Sequence, residues 1–114
     1  PGSGWMDDET RPALTLTHPQ PGANASLDRI LLGMHDYYAG LDMDSFTVTA
    51  DFSIGETQPG ENLAPRFKPV GEGVYEWKLR KPIATLPKGI LTVSVMDLQG
   101  NVTRIERTFR VRRG

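Results

Sequence analysis

Apolar and polar side chains alternate along most of the chain, and a period of two marks strands that bury one face. The clearest run is 45–54, where Phe46, Val48, Ala50 and Phe52 share a face opposite Thr47, Thr49 and Asp51. Residues 13–17 alternate in the same way until His18-Pro19-Gln20-Pro21-Gly22 ends the run. In 27–34, Ile30, Leu32 and Met34 fall on one side and Leu31 on the other. Tyr75, Trp77 and Leu79 face Glu76 and Lys78 across 74–79, and Leu91, Val93 and Val95 repeat the pattern in 90–96. The run 102–111 closes the chain. A weaker strand is expected at 63–67, where Pro65 and Pro69 restrict pairing, and 82–88 is expected to be a proline-punctuated crossing.

These assignments predict a core of Phe46, Val48, Phe52, Trp77, Leu79, Leu91, Val93, Val95, Ile105 and Phe109. One position breaks the pattern. Arg107 shares parity with Ile105 and Phe109 and should point inward unless a bulge turns it or the inner face opens to solvent there. Turn chemistry separates the strands: Gly40, between Asp36 and Asp42, is free to take positive φ, and 97–101 has the residues of a hairpin connection.

Composition agrees with many strands and turns. The 114 residues suit one domain, and the 12 glycines and 9 prolines lie singly between short apolar runs. A net charge of −1 offers no electrostatic footprint for nucleic acid, and no run has the roughly 20 apolar residues of a spanning helix. Arg104, Arg107, Arg110, Arg112 and Arg113 cluster near the end, as on a solvated strand edge guarded against aggregation. With no cysteine there is neither a disulfide nor a thiolate site. Pro1-Gly2-Ser3-Gly4 has the composition of a linker or cloning-derived tail, and 1–11 is set apart from a domain at 12–112.

Two stretches carry a family likeness. Asp36-Tyr37-Tyr38-Ala39-Gly40-Leu41-Asp42 leads into Ser45-Phe46-Thr47-Val48, and Val93-Ser94-Val95-Met96-Asp97-Leu98-Gln99-Gly100-Asn101-Val102 leads to Thr108-Phe109-Arg110-Val111. The chain resembles bacterial immunoglobulin-like domains in the order of its elements and in these turns. That resemblance implies an all-β fold, an immunoglobulin-like antiparallel β-sandwich of about seven strands. It also implies a non-catalytic spacer or contact module of a larger extracytoplasmic bacterial protein, whether secreted, periplasmic or on the cell surface. The partners would be neighbouring domains of the same parent chain or another protein, with no nucleic acid and no membrane insertion, and edge strands open a route to homodimers. The disulfide and third-strand tryptophan of antibody domains are missing, and calcium motifs of the cadherin type are incomplete.

In such a sandwich two loops meet at one end, bringing Asp36, Asp42 and Asp44 near Asp97 and Asn101. Calcium takes hard oxygen ligands of this kind, although each aspartate also suits capping its own turn. No cofactor is expected beyond that weak calcium candidacy. Tyr37 and Tyr38, with Trp5, are candidates for a sugar-binding or protein-binding surface, which would make the chain a carbohydrate-binding accessory module. His18 and His35 are too few for a metal site, and no nucleophile stands beside a base in sequence, so no catalytic residue is assigned. Gly71 and Gly73 flank Glu72 without a following helix, which excludes a phosphate loop, and the sequons at Asn24 and Asn101 are read as chance composition.

Overall fold

The computed structural model describes residues 12–36 and 40–112, and the alternating runs become eight strands. These are β1 (Ala13–His18), β2 (Gly22–Asn24), β3 (Leu27–His35), β4 (Leu41–Ala50), β5 (Lys68–Gly71), β6 (Val74–Ile83), β7 (Leu86–Asp97) and β8 (Val102–Val111). They form two four-stranded sheets, ordered β1-β3-β6-β5 and β2-β8-β7-β4, and the fold is an all-β sandwich. In a constant-type immunoglobulin sandwich the first, second, fifth and fourth strands face the third, sixth and seventh. The order here is the same, with the first strand divided into β1 on one sheet and β2 on the other.

That division refines the expected sandwich of about seven strands in two details. Seven strands become eight, and the sandwich is not wholly antiparallel, because β2 runs parallel to β8 with Gly22 opposite Phe109. Asn24 fastens the crossing segment. Its buried side chain accepts from the Gln20 amide at 2.9 Å and donates to the Gln20 carbonyl at 2.9 Å and the Arg110 carbonyl at 3.3 Å. A carboxamide can serve both as donor and acceptor, so one side chain satisfies backbone groups of the crossing and of β8 together. Asn24 is therefore structural in its own sequon.

Arg107 is explained by the same seam. The β7–β8 register is unbroken from Gly89↔Phe109 to Met96↔Val102, so no bulge turns Arg107 outward. It points inward between β1 and β8 and donates to the carbonyls of Leu16 at 3.1 Å and Pro19 at 2.8 Å. A charged donor satisfies two backbone acceptors where the apolar layer gives way to solvent.

The core lies between the sheets. Leu27, Ile30, Leu32, Val48, Leu91, Val93, Val95 and Val111 are fully buried. Phe46, Leu79 and Phe109 are buried as the alternation predicts, whereas Phe52, Trp77 and Ile105 only partly enter the core. Gly89 is needed for packing, since a Cβ there would stand 2.7 Å from a Leu86 methyl and 2.8 Å from the Phe52 ring.

The segment 63–67 is not a strand. Leu63 and Phe67 are buried on either side of a 3₁₀ turn, Ala64–Arg66, whose Pro65 suits the start of a helical turn, and the strand follows at β5. The crossing expected at 82–88 is mostly strand, with β6 reaching Ile83 and β7 starting at Leu86, and Pro87 falls where the β7–β8 register slips between Leu86 and Gly89. β4 starts at Leu41 and stops at Ala50, and its pairing with β7 is irregular between Asp42 and Thr47. There the Ser45 hydroxyl donates to the Asp42 carbonyl at 2.6 Å and accepts from the Met96 amide at 2.8 Å. One side chain thus replaces ladder bonds lost to the bulge.

Leu32→Ala should lower stability by about 2–5 kcal/mol in urea unfolding, as for a fully buried leucine. Arg107→Met should cost about 1–3 kcal/mol by leaving two carbonyls without their donor. A wild-type midpoint for Arg107→Met would show that water replaces the guanidinium at the seam.

Candidate functional site

The sandwich brings part of the aspartate set together. Leu98 donates its amide to the Gly40 carbonyl at 3.0 Å and Leu41 pairs with Asp97, so the two loops meet at one end. Gly40 has φ +79°, the left-handed conformation foreseen for it. Asp97 is buried and holds the β7–β8 hairpin: Oδ1 accepts from the amides of Gln99 at 2.9 Å and Asn101 at 2.8 Å, and Oδ2 accepts from Asn101 Nδ2 at 2.9 Å. Burial alone would raise the Asp97 carboxyl. Hydrogen bonds from the Asn101 side chain, the Asn101 and Gln99 amides and the Asp36 side chain outweigh it and hold Asp97 below the usual carboxylate range.

Asp36 therefore joins Asp97 and Asn101, while Asp42 and Asp44 lie on the neighbouring bulge. Asp42 Oδ1 accepts from the Asp44 amide at 3.1 Å, an aspartate closing its own turn. Among the described residues no three acidic or histidine side chains converge as a metal cage. Tyr37 and Tyr38 fall at 37–39 and Trp5 at 1–11, outside the described residues. Beside this loop end, Met43, Leu98 and Val102 are exposed.

His18 stands 3.8 Å from Asp28 at an open polar hollow that also includes Asn24, Ser26, Arg29 and Lys78, and His35 ends β3 on the surface. The histidines are thus on different parts of β1 and β3, and among the described residues no third acidic or histidine side chain joins His18 and Asp28.

A second site was not visible as one in the sequence. Trp77 pairs with Ile30 across β3 and β6, which places its side chain on the inner face, yet it is only half-buried. An aromatic row leads to it: Phe46 packs edge-on to Phe67 with centroids 5.7 Å apart, and Phe67 lies 6.2 Å from Trp77. The Arg66 guanidinium sits 5.6 Å over the Trp77 ring. Next to this ring runs a groove of about 740 Å³ between 54–57 and 77–81, lined also by Glu56, Lys78, Leu79, Arg80 and Lys81. The signal available beforehand was three cations in the four residues after a strand tryptophan; alternation alone had put that tryptophan in the core.

Comparison with known proteins yields fold alone. No protein-family model matches the chain, and no curated protein matches its sequence. Solved structures do match. An endo-β-1,4-mannanase from Thermotoga petrophila aligns over 90% of this chain with TM-score 0.61 and 13% identity, and the match takes up 20% of that chain. PcoC, a methionine-rich copper resistance protein from Escherichia coli, aligns over 89% with TM-score 0.56 and 14% identity, covering 98% of its own chain. Dimeric latent PorU from Porphyromonas gingivalis aligns over 98% with TM-score 0.54 and 19% identity, covering 11% of that chain. The chain thus spans about a fifth of the mannanase and about a ninth of PorU. It has 4 methionines, of which Met34 is buried in the core.

The lowered Asp97 value has a pH consequence. A carboxyl depressed in the folded state stabilises it fully above the unfolded value and loses that contribution as pH falls through the folded one. Asp97→Asn should therefore melt below wild type at pH 5–7, and the gap should close as pH drops below the ordinary carboxylate range. A gap unchanged down to pH 2 would mean that the ionised carboxylate is not what holds the hairpin.

Proposed function

We propose that the chain is a non-catalytic, immunoglobulin-like module of a larger extracytoplasmic bacterial protein, where it acts as a spacer or as a contact domain for its neighbours or another protein. The observation that carries this reading is modular recurrence. Nearly the whole chain aligns with segments that make up only 20% and 11% of two much longer proteins, in the strand order of an immunoglobulin-type sandwich. A unit that closes its own core around one apolar layer needs no contact with the rest of a chain to fold, which is what permits a domain to be inserted, repeated or moved.

The chemistry of the loops supports a structural role. Loops on a rigid sandwich are where binding and catalytic groups are displayed. Here Asp97 caps a hairpin, Asp42 closes its own turn and Ser45 completes a broken ladder. These polar groups are engaged by backbone and hold the connections in place. A position outside the cytoplasm accords with the resemblance to bacterial surface modules, and no helix among the described residues is long and apolar enough to cross a membrane.

Thermal unfolding of the chain, in calcium and in EDTA, tests the reading. A single cooperative transition with the same midpoint in both is expected of an autonomous module whose stiffness does not depend on metal. A higher midpoint in calcium would reassign Asp36, Asp97 and their neighbours to a metal-stabilised adhesion role, and loss of cooperativity would mean that the chain is not an autonomous unit.

A further inference from the structure

β6 is longer than its neighbour. The β5–β6 ladder reaches only from Val74 to Glu76, so among the described residues 77–83 of β6 has no strand on its β5 side; on the other side Trp77, Lys78 and Ile83 pair with β3, whose register slips between Lys78 and Ile83. No backbone hydrogen bond from 51–67 closes that gap, although this segment forms the far wall of the groove. An open strand edge presents backbone donors and acceptors at the spacing another strand requires.

The side chains specify what such a strand would carry. Trp77 and Leu79 share the inner face, and Lys78 and Arg80 the outer. A strand laid beside them would place apolar side chains against Trp77 and Leu79 and alternate side chains against the cations. Arg66, Lys78, Arg80 and Lys81 border the groove against one lining acid, Glu56. Arg66 is braced on the Trp77 ring, and its ion-pair partner Glu61 is 4.0 Å away, with both side chains nearly half exposed. A stacked guanidinium keeps its outer N–H groups for a carboxylate.

Edge protection accounts for the lysines and for Pro82 but not for a tryptophan at the end of an aromatic row. Stacking of a sugar ring is disfavoured too, because Arg66 already covers a face of Trp77.

We propose that the groove between 54–57 and 77–81 is a docking site for an extended peptide segment of a partner protein, in which apolar and acidic residues alternate and which adds to the open edge of β6. The proposal rests on reading the chain as an interaction module and names the partner's chemistry.

The probe is a fluorescein-labelled, end-blocked octapeptide of alternating glutamate and valine, titrated with the chain in low salt and read by anisotropy. Saturable binding is expected, weakened at least tenfold by Arg80→Glu/Lys81→Glu and little changed by Lys88→Glu/Arg104→Glu, whose residues lie outside the groove. Both pairs are exposed, and unchanged melting curves will show that the variants fold. Methylating the peptide's backbone nitrogens on alternate residues should abolish binding in one of the two registers, a loss that charge attraction alone does not produce. The proposal is overturned if no binding is seen below about 1 mM, or if a lysine–valine peptide or an unalternated isomer binds equally well. It is also overturned if polygalacturonate binds at this groove and the peptide does not. A chain that melts cooperatively yet ignores the peptide would sink this proposal and leave the module reading standing.

Discussion

Two sheets that share one apolar layer leave a seam along each side, and the fold depends on how the seam between β1 and β8 is shut. The first strand does it by serving both sheets, with β1 beside β3 and β2 beside β8. Such a crossing exposes backbone groups halfway between two ladders, where each unpaired one costs free energy. Asn24 satisfies those near β2, and Arg107 satisfies the Leu16 and Pro19 carbonyls before it. Polar side chains at inner positions, which seem misplaced in the alternation, are thus what lets the apolar layer end cleanly.

The opposite seam, between β5 and β4, is shut differently. β5 is only four residues long and cannot cover β6, so the long connection 51–67 folds over the gap and sends Ile54, Leu63 and Phe67 into the core. A connection packed by a few side chains fills the layer less completely than a strand does, because its backbone does not extend the ladder. Trp77 lies beside that cover, partly buried against the core and partly lining the groove. The asymmetry between the seams places a rigid aromatic group and an open sheet edge on the same side of the molecule.

This division also explains what the sequence could disclose. A period of two reports which way a side chain points, and it placed Phe46, Val48, Leu91, Val93 and Phe109 correctly on the buried face, while Ile30 and Leu32, which it set together on one side of their strand, are fully buried without having been counted in the core. It does not report whether another strand lies alongside, so Trp77 looked like any other core residue. β2 is only three residues long and gives no period to detect, and the Leu63–Phe67 run mimicked a strand because both of its ends are buried around a 3₁₀ turn. The Arg107 anomaly was the one legible trace of the seam, since a cation at an inner position requires acceptors that alternation does not name. At the loop end, the meeting of Asp36 with Asp97 followed from topology, whereas the commitment of Asp97 to Gln99 and Asn101 depended on turn geometry.

Asp97 shows why an acidic loop need not be a ligand site. Its two oxygens already accept three hydrogen bonds within the hairpin, and those bonds keep it ionised despite burial. A cation entering there would gain a carboxylate only by disrupting the donors that fix the β7–β8 turn. Arg66, by contrast, is held by stacking on a ring, a contact that leaves its hydrogen-bonding edge available. Charge that is braced by apolar contact can still recognise a partner, whereas charge used up in a turn is part of the scaffold. That distinction is why the proposed docking site draws on the cations along β6 and not on the aspartates of the loops.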